Sequence, residues 1–187
     1  MASVKHDSRE KLIRAAQKAT YQQGFAQTSL ADIAKAAGVP LGNVYYYFKT
    51  KEALGEAVID ARLSYIHRAH DSWEQSSSPA DRLCAFVDSV LDNKEALARG
   101  GCSIGTLCSE LSKARGPLAR KASELLKQHL LWIQEQFSLL GRNTDAHSLA
   151  IHLLAGLQGV GVLAHSLGDA DLVVTETRRL REWIRSL

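Results

Sequence analysis

The chain has 187 residues, 45% of them hydrophobic and 23% charged, which excludes a disordered segment and leaves enough length to bury a core without disulfide or metal staples. Its 23 Lys and Arg against 20 Asp and Glu give +3 overall, yet residues 1–51 hold eight basic and three acidic side chains, a net +5, leaving −2 for the remainder. A basic head on a slightly acidic body points to a head that meets a polyanion.

The opening residues, MASVKHDSREKL, carry no apolar signal core and no lipidation pattern, so the expected location is the cytoplasm. Three cysteines without metal-ligand spacing, Cys84, Cys102 and Cys108, fit reduced thiols there. Helical periodicity then runs almost throughout. Leu12, Ala16 and Ala19 form the stripe of a first helix over about 7–23, ended by Gly24. Ser29 followed by Asp32 reads as a capping box opening a second helix, which Gly38 stops. A third covers about 41–48. Thr50 caps a long fourth, with Leu54, Val58, Ala61 and Tyr65 as its stripe.

Residues 75–79, with their Ser run and Pro79, form a loop. A fifth helix is expected over 80–98, broken by Arg99-Gly100-Gly101, and a shorter sixth over 104–111. Pro117 starts a seventh, with Ala122, Leu126, Leu130, Ile133 and Phe137 inward. The eighth and ninth cover about 145–167 and 171–187. No segment alternates at strand period, so the expected fold is all-α with about nine helices. The most apolar stretch, 149–167, is interrupted by His152, Gln158, His165 and Ser166; it reads as a buried helix, and no membrane partner is expected.

The second and third helices, joined by Gly38-Val39-Pro40, have the makings of a helix-turn-helix. Ala34 is small where the pair must approach, and Ile33, Val39 and Val44 supply apolar contacts. The third helix offers Leu41, Gly42, Asn43, Tyr45, Tyr46 and Tyr47. Three consecutive tyrosines cannot all be buried at 100° per residue. Phenols reaching phosphates and Asn43 near base edges would use them. Spacing alone also allows a plain helical hairpin with surface tyrosines.

Residues 28–54, TSLADIAKAAGVPLGNVYYYFKTKEAL, resemble the signature of the TetR/AcrR transcriptional regulators, with recurring features at Ile33-Ala34, Ala37-Gly38-Val39, Gly42, Tyr45, Phe48, Lys51-Glu52 and Leu54, and Gly24-Phe25 ahead of them. The resemblance implies a helix-turn-helix DNA-binding domain over 1–51 and an effector-binding and dimerisation domain over 52–187. It implies a repressor released from a double-stranded operator by a small-molecule effector. Thr28 and Ser29 would anchor a phosphate at the second helix's N-terminus. Leu41, Gly42, Asn43 and Tyr45 would face the major groove, and Tyr46, Tyr47 and Lys51 the DNA backbone. Pro40 and Tyr47 depart from the commonest pattern, which has a Ser or Thr cap and a His there, and this bears on the operator sequence. A homodimer would pair the last two helices through Leu153, Gly156, Leu157, Val160, Leu163, Leu180, Trp183 and Ile184; intrachain packing is the alternative for the same residues.

In the body, Gly101-Cys102-Ser103-Ile104-Gly105 spells a nucleophile elbow but follows a helix end where that motif needs a strand, so no enzyme activity is expected. Cys102 and Cys108 flank a helix start, which suits either a thiol sensor of electrophiles or oxidants, or small packing residues. Trp73, Phe86, Trp132 and Phe137, together with Cys102 and Cys108, fit either an effector pocket or plain core. His67 with His70 and His147 with His152 read as surface or core histidines; no metal and no cofactor is expected. A helical small-molecule-binding enzyme is the remaining alternative class.

Overall fold

The computed structural model describes residues 2–76 and 78–187, with side chains from Asp7 onward. Ser77 of the expected loop and the Lys5 side chain lie outside the described residues. Among the described residues the chain forms ten helices and no strand: α1 (Ala2–Gln23), α2 (Leu30–Ala37), α3 (Leu41–Tyr47), α4 (Lys51–Trp73), α5 (Pro79–Asp92), α6 (Lys94–Gly100), α7 (Ser103–Ala114), α8 (Pro117–Leu139), α9 (Ala146–Leu167) and α10 (Asp171–Ser186). The all-α expectation holds. The count exceeds nine because the helix expected over 80–98 breaks at Asn93 (φ −103°, ψ 13°), whose side-chain amide donates to the Ser89 carbonyl at 2.7 Å. Arg99 and Gly100 stay helical, and Gly101, at φ 72°, ends α6.

Local chemistry sets most helix ends. Ser29 and Asp32 form the reciprocal capping box at the start of α2. Ser78 accepts the Asp81 N–H ahead of α5, with Pro79 in the first turn, and the Thr50 hydroxyl accepts the Ala53 N–H at 3.1 Å to open α4. Gly38 ends α2 in the left-handed region at φ 67°. Its N–H reaches the Lys35 carbonyl while the Val39 N–H reaches Ala34, the paired bonds of a Schellman end.

The chain divides into two compact units. The first comprises residues up to Ser64 together with Thr106–Leu125. Its core gathers Leu12 and Ala16 from α1, Ile33 and Ala34 from α2, Val44 from α3, and Leu54, Val58 and Ile59 from α4, with Leu107 and Leu111 from α7 also buried. Burying each large side chain of this kind contributes roughly 1.5–3 kcal/mol. Gly55 is needed here: a side-chain carbon on it would sit 2.8 Å from the Phe25 ring and 3.1 Å from Leu118.

The second unit comprises Tyr65–Gly105 and Leu126–Leu187. Its main core joins Leu83, Phe86 and Val87 of α5, Trp132, Ile133 and Phe137 of α8, Ala150, Leu153 and Leu157 of α9, and Leu180 and Ile184 of α10. A smaller cluster holds Leu97, Val160, Ala164 and Val173. Two expected stripes shift. In the second half of α4, Tyr65 is exposed, and Ile66 and His70 are buried instead, because that half packs its rings against α5 and α8. On α8, Leu126 and Leu130 are only partly buried, and His129 and Gln136 are buried along with Trp132.

Much of the expected dimer face is covered within the chain itself. Leu153, Leu157, Val160, Leu180 and Ile184 are no more than 5% exposed and lie within the second unit's own core clusters. Gly156 faces Leu180, where an added carbon would lie 3.5 Å away, and Trp183 is packed on Phe137 and His152. Only Leu163 of that set is exposed. The other exposed large apolar residues of α9 are Ile151 and Val162, which share one strip of the helix, and Leu167 near its end. By length and composition α9 is apolar enough to cross a membrane, but its inner face is in that core.

Candidate nucleic-acid interface

The interface starts from α2, whose apolar face, Ile33 and Ala34, is buried in the first unit. After the Gly38 turn, Pro40 opens α3 at φ −58° and ψ 142° without a side-chain cap, and its carbonyl accepts the Asn43 N–H at 2.9 Å. Helix α3 buries Val44 and is closed by buried Phe48, over whose ring the Arg9 guanidinium lies at 5.4 Å. Fixing those two inward residues turns Gly42, Asn43 and Tyr46 outward, with Leu41 and Tyr45 at the flanks. Tyr46 is 62% exposed, more than Leu41 or Tyr45, and it meets the half-buried Tyr47 edge to face at 4.9 Å. Nothing lies within 4 Å of where a side chain on Gly42 would start, so its surface is open.

Two residues expected to hold phosphate are otherwise engaged. Thr28 is 1% exposed; its hydroxyl donates to the Gly24 carbonyl at 2.7 Å and accepts from the Gln23 amide at 3.3 Å. It therefore braces the turn after α1 instead of reaching solvent. Ser29 is exposed, but α2 already carries its own anion: the Asp32 carboxylate accepts both the Ser29 N–H at 3.0 Å and its hydroxyl at 2.6 Å. The Ser29 hydroxyl bond, more than any other cause, holds the Asp32 carboxyl below its usual range. Lys51 donates to the Ala26 carbonyl at 2.8 Å with its ammonium 4.8 Å from the Phe25 ring centre, so it ties α4 to the turn ahead of α2. On the other side of that turn Glu110, which sequence reasoning missed, accepts the Phe25 and Ala26 N–H groups at 2.7 Å each.

The model of the bacterial regulatory proteins of the tetR family matches residues 12–58, which take in most of α1, all of α2 and α3, and the start of α4. An uncharacterised HTH-type transcriptional regulator encoded in the lacX 3′ region of Lactococcus lactis subsp. lactis is 30% identical over 176 residues, covering 89% of this chain and 88% of that protein. The chain belongs to the tetR family. The HTH-type transcriptional regulator TtgR of Pseudomonas putida is 38% identical over 77 residues, 41% of this chain but 35% of TtgR, so the match spans about a third of that relative. A TetR transcriptional regulator from Chloroflexus aurantiacus has the same fold, with a TM-score of 0.85 at 23% identity over 99% of this chain and 97% of that one.

The other sites expected of this tetR-family chain do not form one cluster. Trp73, Phe86 and Trp132 come together: Trp73 lies 5.3 Å from Phe86 and 5.4 Å from Trp132. Two histidines join them, His70 stacked on Trp132 at 4.8 Å and His129 beside Phe86 at 5.3 Å. The Trp132 indole N–H donates to Glu74 at 2.9 Å. Phe137 is fully buried in the same core, against Trp183. Cys102 belongs instead with the smaller apolar cluster; its sulfur accepts the Gly105 N–H at 3.4 Å and the Gln158 amide at 3.5 Å. Cys108 is in the first unit, its thiol donating to the Ala122 carbonyl at 3.1 Å. The residues spelling a nucleophile elbow join α6 to α7, a helix-to-helix link without the strand such an elbow requires. His67 is exposed and His70 buried, so that pair does not share a site.

Proposed function

We propose that the chain is a cytoplasmic DNA-binding transcriptional repressor that acts as a homodimer and leaves its operator when a small molecule binds the body. Residues 1–51 would be the reader, and residues 52–187 the effector and dimer domain. One observation carries this reading: a helix pair, its first helix capped by Ser29 and closed by the Gly38 turn, leaves Gly42, Asn43, Tyr45 and Tyr46 exposed on a head of net charge +5. Gly42 would let α3 approach the groove closely, Asn43 would reach a base edge, and the phenols would meet groove or backbone. One such helix reads few base pairs, so two copies would place their α3 helices in successive major grooves, about 34–36 Å apart. The outward strip of α9 that carries Ile151 and Val162, with Leu163 at its edge, would supply the surface that pairs them.

For the effector, the aromatic group of Trp73, Phe86 and Trp132 with its two histidines offers flat apolar faces and polar edges, which suits an aromatic or otherwise planar ligand. Binding would favour a dimer whose readers no longer match the groove spacing. A second reading keeps Cys102 as a thiol sensor, since its sulfur sits at the start of α7 accepting the Gly105 N–H. Derepression by oxidants that survives Cys102→Ser would remove it. The test of the main reading is a gel shift with DNA from upstream of the chain's own gene. A folded dimer that gives no shift at low salt would sink it.

A further inference from the structure

Resting on the reading of α2 and α3 as the DNA reader, we propose that Glu110 is a positioning residue for DNA binding: a carboxylate latch that sets the direction in which the chain leaves α1 and enters the reading pair. Glu110 lies on α7, 85 and 84 residues along the chain from the two backbone groups it holds. Its oxygens divide the work, one accepting the Phe25 N–H and the other the Ala26 N–H, each at 2.7 Å. Charged acceptors on paired donors are about twice as strong as neutral ones.

The turn is shaped for this carboxylate. Gly24, at φ 86°, adopts a backbone that side-chain-bearing residues rarely take. A carbon added to it would lie 3.1 and 3.2 Å from the two Glu110 oxygens, so the glycine also clears their seat. The Ala26 peptide is held from both ends, its N–H by Glu110 and its carbonyl by the Lys51 ammonium. Thr28 then closes the turn on the Gly24 carbonyl, and the next residue, Ser29, is the cap of α2. Helix α2 carries its own capping box and the Gly38 turn bonds lead from it to α3, whose Val44 is buried, so the pair survives without the latch. What the latch fixes is their aim. If only a fraction of molecules keeps the competent aim, apparent DNA affinity falls by that fraction.

The experiment uses the full chain. Wild-type protein first selects tight duplexes from a random-sequence library, and affinity for a selected duplex is then measured for Glu110→Gln and Glu110→Ala. Exchange of the Phe25 and Ala26 amides is followed by NMR in parallel. Gln keeps one acceptor and Ala none, so affinity should drop about tenfold and then about a hundredfold. Exchange should accelerate at Phe25 and Ala26 while amides within α2 stay protected, which a general loss of stability would not produce. Wild-type affinity in both variants, with those two amides newly exposed to exchange, overturns the proposal while leaving the reader intact. Failure of the wild-type protein to enrich any duplex overturns the underlying reading and this proposal with it.

Discussion

His70 Nε2 lies 3.1 Å from His129 Nδ1, one ring edge-on to the other, within the aromatic group of the second unit. One imidazole donates and the other accepts, which neutral rings can do without any added proton. Burial pushes both well down, to about 4; the neighbouring His67 adds to this at His70, against Glu74 and Asp71, and His70 adds to it at His129. The sign follows from linkage. An unfolded chain takes up these protons near pH 6.5 and the folded chain only near 4, so between those values the unfolded state binds more protons. Stability is therefore full above about pH 6.5 and declines as pH falls toward 4. The expected loss reaches roughly 3 kcal/mol for a histidine displaced this far. The lowered carboxylates Asp7, Asp32 and Asp145 titrate below this window. Urea midpoints measured from pH 7.5 to 4.5 should show this decline, and His129→Gln should flatten it by about half. Superimposable profiles for the two proteins would contradict the assignment.

Short-range chemistry explains what was legible in the sequence. Ser29 with Asp32, Gly38 and Thr50 act on backbone groups three to five residues away, Pro117 acts through its own fixed φ, and the helices begin and end at those residues. Thr28 is of a type that suits a helix start, while its hydroxyl turns back to Gly24, a choice that depends on how α1 ends. Glu110 could not be foreseen: an acidic residue on a surface-patterned helix gives no sign of two amides 85 and 84 positions earlier. On α9, Leu153, Leu157 and Val160 follow helical spacing well enough to announce burial. Periodicity does not say whether the covering surface comes from the same chain or another, and here it comes from the same chain.

Gly42 separates fold from function. With open space where a side chain would begin, Gly42→Ala costs no packing and removes a flexible residue from a helix, so stability should rise by about 0.5–1 kcal/mol. The same methyl would stand on the outward side of α3. Affinity for a selected duplex should fall at least tenfold while the melting temperature rises. Unchanged affinity in the variant would mean that this side of α3 does not approach DNA.

The two sides of α9 should respond in opposite ways. Leu153→Ala empties a fully buried site and should cost about 2–5 kcal/mol of stability. Val162→Glu places a charge on a side chain that is 65% exposed, so the folded chain should keep its melting temperature within about a degree or two when compared as monomer. Sedimentation velocity should show that Val162→Glu converts a dimer to monomer, and duplex affinity should fall with it. A Val162→Glu protein that stays dimeric at micromolar concentration would place the pairing surface elsewhere.

Tyr46 and Asn43 divide the labour on α3 between holding DNA and reading it. Both face outward, but a phenol suits a phosphate oxygen whereas a carboxamide can pair with two groups on an adenine edge. Tyr46→Phe removes one neutral hydrogen-bonding group. It should weaken binding about three- to tenfold on every duplex alike, without altering the salt dependence, because no charge is lost. Asn43→Ala should cost about 1–3 kcal/mol on the selected duplex and much less on duplexes already changed at one particular base pair. Fluorescence anisotropy on a set of single-base variants distinguishes the two patterns. Should Tyr46→Phe show the base-specific loss and Asn43→Ala the uniform one, α3 lies in the groove rotated so that Tyr46 faces the bases and Asn43 the backbone.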